Sequence, residues 1–250
     1  MNVQKGVQTE INMNTNHSIL IVEDEESIRT GLIDVFVYHG FEVDYAADGA
    51  EGLNKALTGN FNLIILDVML PSMNGFDICK AIREKDKSQA IIMLTAKTAD
   101  EDIIHGLSLG ADDYVAKPFS VAQLVLRVQA VLRRSSNQPV DLEHIQLDKE
   151  RTIDLQNLLV NTPDEKISFT RREIQVISYL HQNKQRPVSR EELLTKVWGY
   201  KPDMAIETRT VDIHIAKIRK KIEVNPKVPE FLQTVRGAGY KLFCLDSKDS

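Results

Sequence analysis

Leu63-Ile64-Ile65-Leu66-Asp67 is an unbroken apolar run that stops on a single carboxylate. A run with no polar side chain suits a strand buried on both faces, which requires helices packed above and below it. Outward along the chain the unit recurs. Ser18 to Val22, Glu42 to Ala46, Ala90 to Leu94 and Tyr114 to Ala116 are further short apolar runs with helical patterns between them. Ile28, Leu32, Val35 and Phe36 keep the i, i+4, i+7, i+8 spacing of a one-sided helix, and Val121, Leu124, Val125, Val128 and Val131 do so later. This alternation predicts an α/β module, a doubly wound parallel sheet of five strands.

Ligands of such sheets bind outside the carboxyl ends of the strands. Glu23 and Asp24 follow the first run, Asp67 the third, Thr95 the fourth and Lys117 the fifth. Carboxylates converging in one crevice repel one another unless a cation lies between them. Oxygen ligands without a nearby His or Cys favour Mg2+, which keeps several waters and shares its coordination with phosphates. Lys117 adds a compact positive charge and Thr95 a hydroxyl donor, both suited to phosphoryl oxygens. Asp67 is then a nucleophile that accepts a phosphoryl group as an acyl phosphate. Each residue taken singly reads better as a turn or helix cap. The set, one chemistry-bearing group at the end of every strand but the second, reads as a site.

The chain of 250 residues carries a net charge of −5, but the sign divides at Ser135-Ser136-Asn137-Gln138-Pro139. Residues 17 to 134 hold 11 Lys/Arg against 18 Asp/Glu, net −7, whereas 166 to 241 hold 16 against 8, net +8. The basic half points toward nucleic acid, because neutralised phosphates release condensed counterions. No stretch approaches the ~20 apolar residues of a membrane span, and Met1 to Asn16 lacks a signal-peptide core, so the expected location is cytoplasmic. The two cysteines, Cys79 and Cys244, have no spaced partners, which excludes a thiolate metal site and argues against a disulfide framework.

Beyond the linker, Ile145 to Leu147, Ile153 to Leu155 and Leu158 to Val160 predict a small antiparallel sheet. Thr170 with Glu173 and Ser189 with Glu192 form capping boxes, the second leading into Leu193, Leu194, Val197 and Trp198. A helix is expected from about Thr208 to Val224, with Val211, Ile215, Ile218 and Ile222 as its core stripe. Its other side presents Arg209, Ile213, Ala216, Lys217 and Lys220, edged by Thr210, His214 and Lys221, a face of donors and small apolar groups suited to a major groove. Phe231 to Val235 and Tyr240 to Phe243 flank Arg236-Gly237-Ala238-Gly239, a glycine-rich hairpin tip carrying one Arg.

Ile21-Val22-Glu23-Asp24-Glu25, Leu66-Asp67-Val68-Met69-Leu70-Pro71, Met93-Leu94-Thr95-Ala96-Lys97 and Gly110 to Phe119 resemble the receiver domain of bacterial two-component response regulators. Val197-Trp198-Gly199, Thr208 to Ile215, Ile218 to Ile222 and Thr234 to Tyr240 resemble the winged-helix effector domain of OmpR/PhoB-type regulators. The resemblance implies a flavodoxin-like receiver over 17–134, a linker over 135–140 and an α+β winged helix-turn-helix domain over 141–245. An N-terminal extension (1–16) and a short tail (246–250) flank them, and Met13 is the expected native start. It also implies phosphorylation of Asp67 by a sensor histidine kinase, with Mg2+ held by Glu23, Asp24, Asp67 and the backbone carbonyl of Met69. Lys117 and Thr95 would contact the phosphoryl group, and Tyr114 would turn inward behind it. Arg209, Thr210, His214, Lys217 and Arg219 would approach bases or phosphates of double-stranded promoter DNA, with Thr234 on a phosphate and Arg236 in the minor groove. Asp203 to Thr208 would meet RNA polymerase.

The chain also departs from that family's pattern. Ala216 and Lys217 stand where relatives carry further basic groups, so a target sequence does not transfer. Of three charge pairs usual on the dimer face, formed by the fourth helix, fifth strand and fifth helix, only Asp113 with Arg127 survives. Ile103 with Gln123 and Ser108 with Gln129 replace the others. A homodimer of phosphorylated chains is therefore expected to rely on apolar contact through Ile103 and Leu107 and to be less salt-sensitive. Two other readings compete. A haloacid-dehalogenase-type phosphatase resembles this nucleophile chemistry but needs an Asp where Met69 stands; a silent receiver serving only dimerisation has no use for three clustered carboxylates. The expectation is a regulator, not an enzyme turning over an external substrate.

Overall fold

A computed structural model describes residues 17–96, 109–135, 143–200 and 209–245, the side chains of 133–135 and 209 excepted. The first unit is built from β1 (Ser18–Val22), α1 (Glu26–Tyr38), β2 (Glu42–Ala46), α2 (Gly49–Thr58), β3 (Leu63–Asp67), α3 (Gly75–Lys85), β4 (Ala90–Thr95), β5 (Asp113–Ala116) and α4 (Val121–Ser135). The strands are parallel in the order β2-β1-β3-β4-β5, the expected doubly wound sheet. Alternate residues of each strand divide between two cores. Ile19, Ile21, Leu63, Ile65, Ile92 and Leu94 meet Leu32 and Phe36 of α1 and Leu124 and Val128 of α4. Leu20, Val22, Ile64, Leu66, Ile91 and Met93 meet Ile78 and Ile82 of α3. Parallel register sets Val22 beside Leu66, Asp67 beside Leu94 and Thr95 beside Ala116, so the chemistry-bearing residues leave the sheet at one edge.

The second unit opens with an antiparallel sheet of β6 (His144–Gln146), β7 (Thr152–Asp154), β8 (Leu159–Asn161) and β9 (Lys166–Ser168). The fourth strand escapes sequence reading because Lys-Ile-Ser offers one apolar residue. Then follow α5 (Arg171–Gln182), α6 (Arg190–Leu193), a π-helical turn at Leu194–Trp198, α7 (Arg209–Ile222) and the hairpin β10 (Leu232–Val235) with β11 (Gly239–Leu242). The Thr170–Glu173 capping box is complete. The Ser189 box forms only halfway. Ser189 accepts from the amide of Glu192, but the Glu192 carboxylate is taken by Tyr179 at 2.7 Å and by Arg186 at 2.6 Å, and α6 runs only four residues before the π-helical turn. The Val211, Ile215, Ile218 and Ile222 stripe packs on Trp198, Ile177 and Leu232 as expected. The hairpin lies against the strap before α6, with Val188 and Tyr240 exchanging backbone hydrogen bonds at 2.8 and 2.9 Å. Gly239 permits this approach: its φ is +121°, and a Cβ there would stand 2.0 Å from the Val188 carbonyl oxygen. Among the described residues no helix is long and apolar enough to cross a membrane.

Candidate functional site

At the carboxyl edge of the first sheet, Glu23 and Asp67 are buried and Asp24 is exposed, yet one carboxylate oxygen of each lies within 4.8 Å of the others. Gly75 makes room for the Asp67 strand end, since a Cβ there would stand 2.1 Å from the Asp67 carbonyl oxygen. Lys117, just past β5, reaches back with Nζ 2.7 Å from Asp67 Oδ2 and 2.8 Å from Glu23 Oε1. The second Glu23 oxygen is also 2.8 Å from Nζ, but out of alignment, and remains buried without a hydrogen bond. Asp67 Oδ1 accepts from the Met69 amide at 3.1 Å. Thr95, fully buried, ends β4 beside them, and its carbonyl accepts from the Lys117 amide at 2.6 Å.

Among the described residues, one ammonium facing three carboxylates leaves negative charge in excess. Burial, reinforced by the Asp67 charge, pushes the Glu23 carboxyl up to about 7 in spite of Lys117. Burial opposes the Lys117 charge, yet hydrogen bonds to Asp67 and Glu23 hold its pKa above the ordinary value. The arrangement is chemically suited to a hard divalent cation and to an anion that the lysine and the cation would share.

Strand β5 carries the other sequence-selected groups. Tyr114 is already largely buried, in a cluster with Leu20, Val22, Met93 and, from α7 of the second unit, Ile213. Asp113 and Arg127 form an ion pair at 2.6 Å within the chain. Tyr200 joins them: its hydroxyl donates to Asp113 Oδ2, accepts from Arg127 at 3.3 Å, and its ring lies 4.9 Å beneath the guanidinium. Burial, together with the Asp113 charge, raises the Tyr200 pKa well above its ordinary value, so the phenol stays a donor. The Trp198 indole donates to the Asp112 carbonyl at 3.1 Å, and Arg172 lies 5.2 Å over its ring and 3.8 Å from the Asp112 carboxylate. Arg83 holds the other Asp112 oxygen at 3.0 Å.

These contacts between the two units were missed in the sequence. Trp198 read as core, and nothing in the spacing of Asp112, Arg172 and Tyr200 signals that the fold brings them together; the acidic doublet preceding an apolar strand was the only local sign.

The groove face expected of α7 is correspondingly less open than its sequence implies. His214 is fully buried, edge-on to Trp198 at 5.1 Å, its Nδ1 2.9 Å from the Thr210 carbonyl and its Nε2 without a hydrogen bond. Its expected place on an exposed edge is corrected by this burial, because position 214 lies beside the core stripe and Trp198 closes over it. Burial, with Lys217 nearby, lowers its pKa to about 3, so the ring is neutral. Ile213 and Thr210 are also buried, whereas Ala216 and Lys220 are exposed. Lys217 lies 3.4 Å, and Lys221 2.6 Å, from Glu173. Arg219 ties the helix to the hairpin through the Leu232 carbonyl and Thr234 hydroxyl, both at 2.8 Å, and Arg236 is exposed at the tip. Only the backbone of Arg209 is described; Ile103, Leu107 and 203–208 lie outside the described residues.

A family model for the response regulator receiver domain matches residues 19–129, and one for the transcriptional regulatory protein C terminal matches residues 164–242. The alkaline phosphatase synthesis transcriptional regulatory protein PhoP of Bacillus subtilis (strain 168) is 42% identical over 235 residues, covering 91% of this chain and 97% of that protein. Response regulator ArlR of Staphylococcus haemolyticus (strain JCSC1435) is 40% identical over 224 residues, covering 89% and 98%. Among solved structures, a mutant of RitR aligns with a TM-score of 0.69 at 28% identity over 91% of this chain and 99% of that one. DrrB, a Thermotoga maritima OmpR/PhoB homolog, aligns at 0.50 with 30% identity over 92% and 100%.

Proposed function

The chain belongs to the two-component response regulators of the OmpR/PhoB type, and from that membership we propose that phosphorylation of Asp67 switches its binding to DNA. Regulators of this family join a receiver to a DNA-binding domain and are not enzymes on external substrates; a histidine kinase and DNA are the partners those two domains imply. The observation that carries the assignment of Asp67 is Lys117 Nζ shared between Asp67 and Glu23, with one buried Glu23 oxygen left without a hydrogen bond.

Glu23, Asp24, Asp67 and the Met69 backbone carbonyl would hold Mg2+. The donor set fits: oxygen ligands only, negative charge in excess, and a carboxyl whose pKa is raised by burial and, less, by the Asp67 charge. When bound, Mg2+ supplies positive charge that neutralises phosphoryl oxygens. An Asp67 carboxylate oxygen forms the new O–P bond as the N–P bond of the kinase phosphohistidine breaks, and the departing imidazole nitrogen takes up a proton. Lys117 and Thr95 then hold phosphoryl oxygens, and Tyr114 follows Thr95 inward. Attack by water on the acyl phosphate restores Asp67, so the signal decays without a second enzyme.

Phosphorylated chains pair through a receiver face containing Ile103, Leu107, Asp113 and Arg127. Arg209, Lys217 and Arg219 serve duplex DNA, with Thr234 on a phosphate and Arg236 in the adjacent minor groove. Thr210 and His214, both buried, join them only if α7 is freed from its present packing. Residues 203–208 are the proposed contact with RNA polymerase, and the site of action is the cytoplasm. Light scattering with Mg2+ and beryllofluoride, a phosphoryl mimic, tests the switch: wild type is expected to pass from monomer to dimer and Asp67→Ala to stay unchanged. Equal behaviour of the two proteins would remove Asp67 from the role.

A further inference from the structure

We propose that the cleft lined by Lys87 of the first unit and by Lys166, Lys217 and Lys221 of the second binds a small anion that carries a diphosphate group. The site is separate from the carboxylate cluster at Asp67 and independent of the role proposed for that residue.

The cleft measures about 390 Å³, within the size range of small-molecule sites, and both units build it. Arg83, in the last turn of α3, and Lys87, just beyond that helix, line it from one side. Glu165, Lys166, Lys217 and Lys221 line it from the other. Lys217 and Lys221 stand one helical turn apart on α7, so their side chains leave the same face of the helix.

The charges around the cleft do not balance. Arg83 is satisfied by the Asp112 carboxylate at 3.0 Å and by the carbonyls of Gly110 at 2.9 Å and Asp86 at 3.2 Å. Lys217 and Lys221 share a single carboxylate, Glu173, at 3.4 and 2.6 Å. Among the described residues, Lys87 and Lys166 have no ion pair, and Glu165 is the one acid that lines the cleft. Four ammonium groups thus stand against two carboxylates. Burial holds the Lys221 pKa below its ordinary value, and the charges of Lys217 and Lys87 press it further in spite of Glu173. Like charges gathered this closely repel, and an anion between them removes that cost. The arrangement inverts the one at Asp67, where carboxylates outnumber the cation.

The excess of positive charge selects a polyvalent anion, and lysines meet phosphoryl oxygens as compact point charges. Among the described residues no aromatic ring lines the cleft, so nothing there stacks a base and recognition rests on the diphosphate, free or carried on a larger molecule. Lys217 also belongs to the residues proposed to meet DNA. Ligand and duplex therefore compete for one cation, and the ligand lowers DNA affinity without any chemistry at Asp67.

The experiment is titration calorimetry of full-length, unactivated wild type, Lys87→Glu and Lys220→Glu with pyrophosphate and, separately, with ADP. EDTA keeps metal from bridging the anion to the carboxylates, and KCl matches the ionic strength. Lys87 is exposed and has no part in the DNA or Asp67 assignments; Lys220 is exposed on α7 outside the cleft, and its replacement changes the net charge equally. Wild type is expected to bind one pyrophosphate per chain, Lys87→Glu roughly tenfold more weakly, the scale for reversing one partly screened charge, and Lys220→Glu with nearly unchanged affinity. Equal affinity for pyrophosphate and ADP would support the free diphosphate as ligand, and tighter ADP with the same loss in Lys87→Glu would support a carried one. Saturating pyrophosphate should also weaken wild-type binding to a mixed-sequence duplex severalfold and that of Lys87→Glu much less.

Absence of pyrophosphate binding by wild type, or equal losses in Lys87→Glu and Lys220→Glu, would overturn the site. Pyrophosphate binding that leaves duplex affinity untouched would overturn the competition at Lys217.

Discussion

Strand β5 separates two clusters of buried charge with opposite character. Beyond its carboxyl end, Glu23, Asp24 and Asp67 share one lysine, and a buried Glu23 oxygen has no hydrogen bond. At its amino end, Asp112 and Asp113 face Arg83, Arg127 and Arg172, and the Asp112 carboxylate also accepts the Ile91 amide at 2.9 Å. Both clusters hold charge-bearing groups that, Asp24 excepted, folding has taken from water, which costs free energy unless opposite charge compensates. The arginine-rich cluster carries its own compensating charge and serves as structure, although Asp113 Oδ1 and Arg172 Nε are likewise buried without hydrogen bonds. The carboxylate-rich one is left short of positive charge, and a binding site for a cation and a phosphoryl group is what that shortage provides.

The sharpest way to break this contrast is to remove one carboxylate from each cluster. Asp112→Ala strands Arg83 and Arg172 in the interior and is expected to cost about 3 to 5 kcal/mol, the scale for breaking a buried pair, as read from urea unfolding. Glu173 offers an intermediate case in the second unit, where Lys217 and Lys221 crowd one carboxylate. Burial works against its charge, but the two lysines and the Thr170 amide bring its pKa down to about 2. A depressed folded-state pKa gives stability that is full above about 4.5 and lost as pH falls toward 2. Glu173→Gln should therefore lose on the order of 3 kcal/mol at neutral pH and flatten the acid limb of the stability curve.

Glu23 behaves in the opposite sense. With its folded pKa raised to about 7, the folded chain binds more protons than the unfolded one, so metal-free stability falls as pH rises from about 4.5 through 7. Glu23→Gln is expected to gain about 2 kcal/mol at pH 8 without Mg2+ and to lose the stabilisation that Mg2+ gives wild type. Loss of stability in this variant without metal would place Glu23 with the structural charges. Smallest is the effect at the exposed hairpin tip: Arg236→Ala should weaken DNA binding by about 1 kcal/mol and lower the slope of log affinity against log salt by about one. Unchanged affinity and slope would show that Arg236 does not enter the minor groove.

The two clusters also differ in how far the sequence reveals them. Apolar runs ending on Glu23, Asp67 and Thr95, and Lys117 after the fifth run, announce the site because parallel strands deliver their ends to one edge and a strand is read locally. The alternation that separates Ile19, Ile21 and Ile65 from Leu20, Val22 and Ile64 is legible for the same reason. The arginine-rich cluster is legible only in its Asp113–Arg127 pair, which the family resemblance picks out as a charge pair of the dimer face and the structure closes within one chain. Arg172 lies 60 positions beyond Asp112, Tyr200 lies 87 beyond Asp113, and their meeting depends on how the two units dock. His214 was misplaced for a related reason: helical projection puts it at the edge of a stripe, and whether an edge is wet depends on what Trp198 does. The half-formed Ser189 box shows the same limit at short range, since tertiary partners claimed Glu192 before the helix start did.

The central claim, that the under-compensated cluster receives a phosphoryl group on Asp67, is tested most directly by intact mass of the full chain incubated with a small acyl-phosphate donor. One phosphoryl group is expected on wild type only when Mg2+ is present, removable by hydroxylamine as an acyl phosphate must be, and none on Asp67→Asn. Equal phosphorylation of wild type and Asp67→Asn, or phosphorylation of wild type undiminished by chelating the metal, would contradict it.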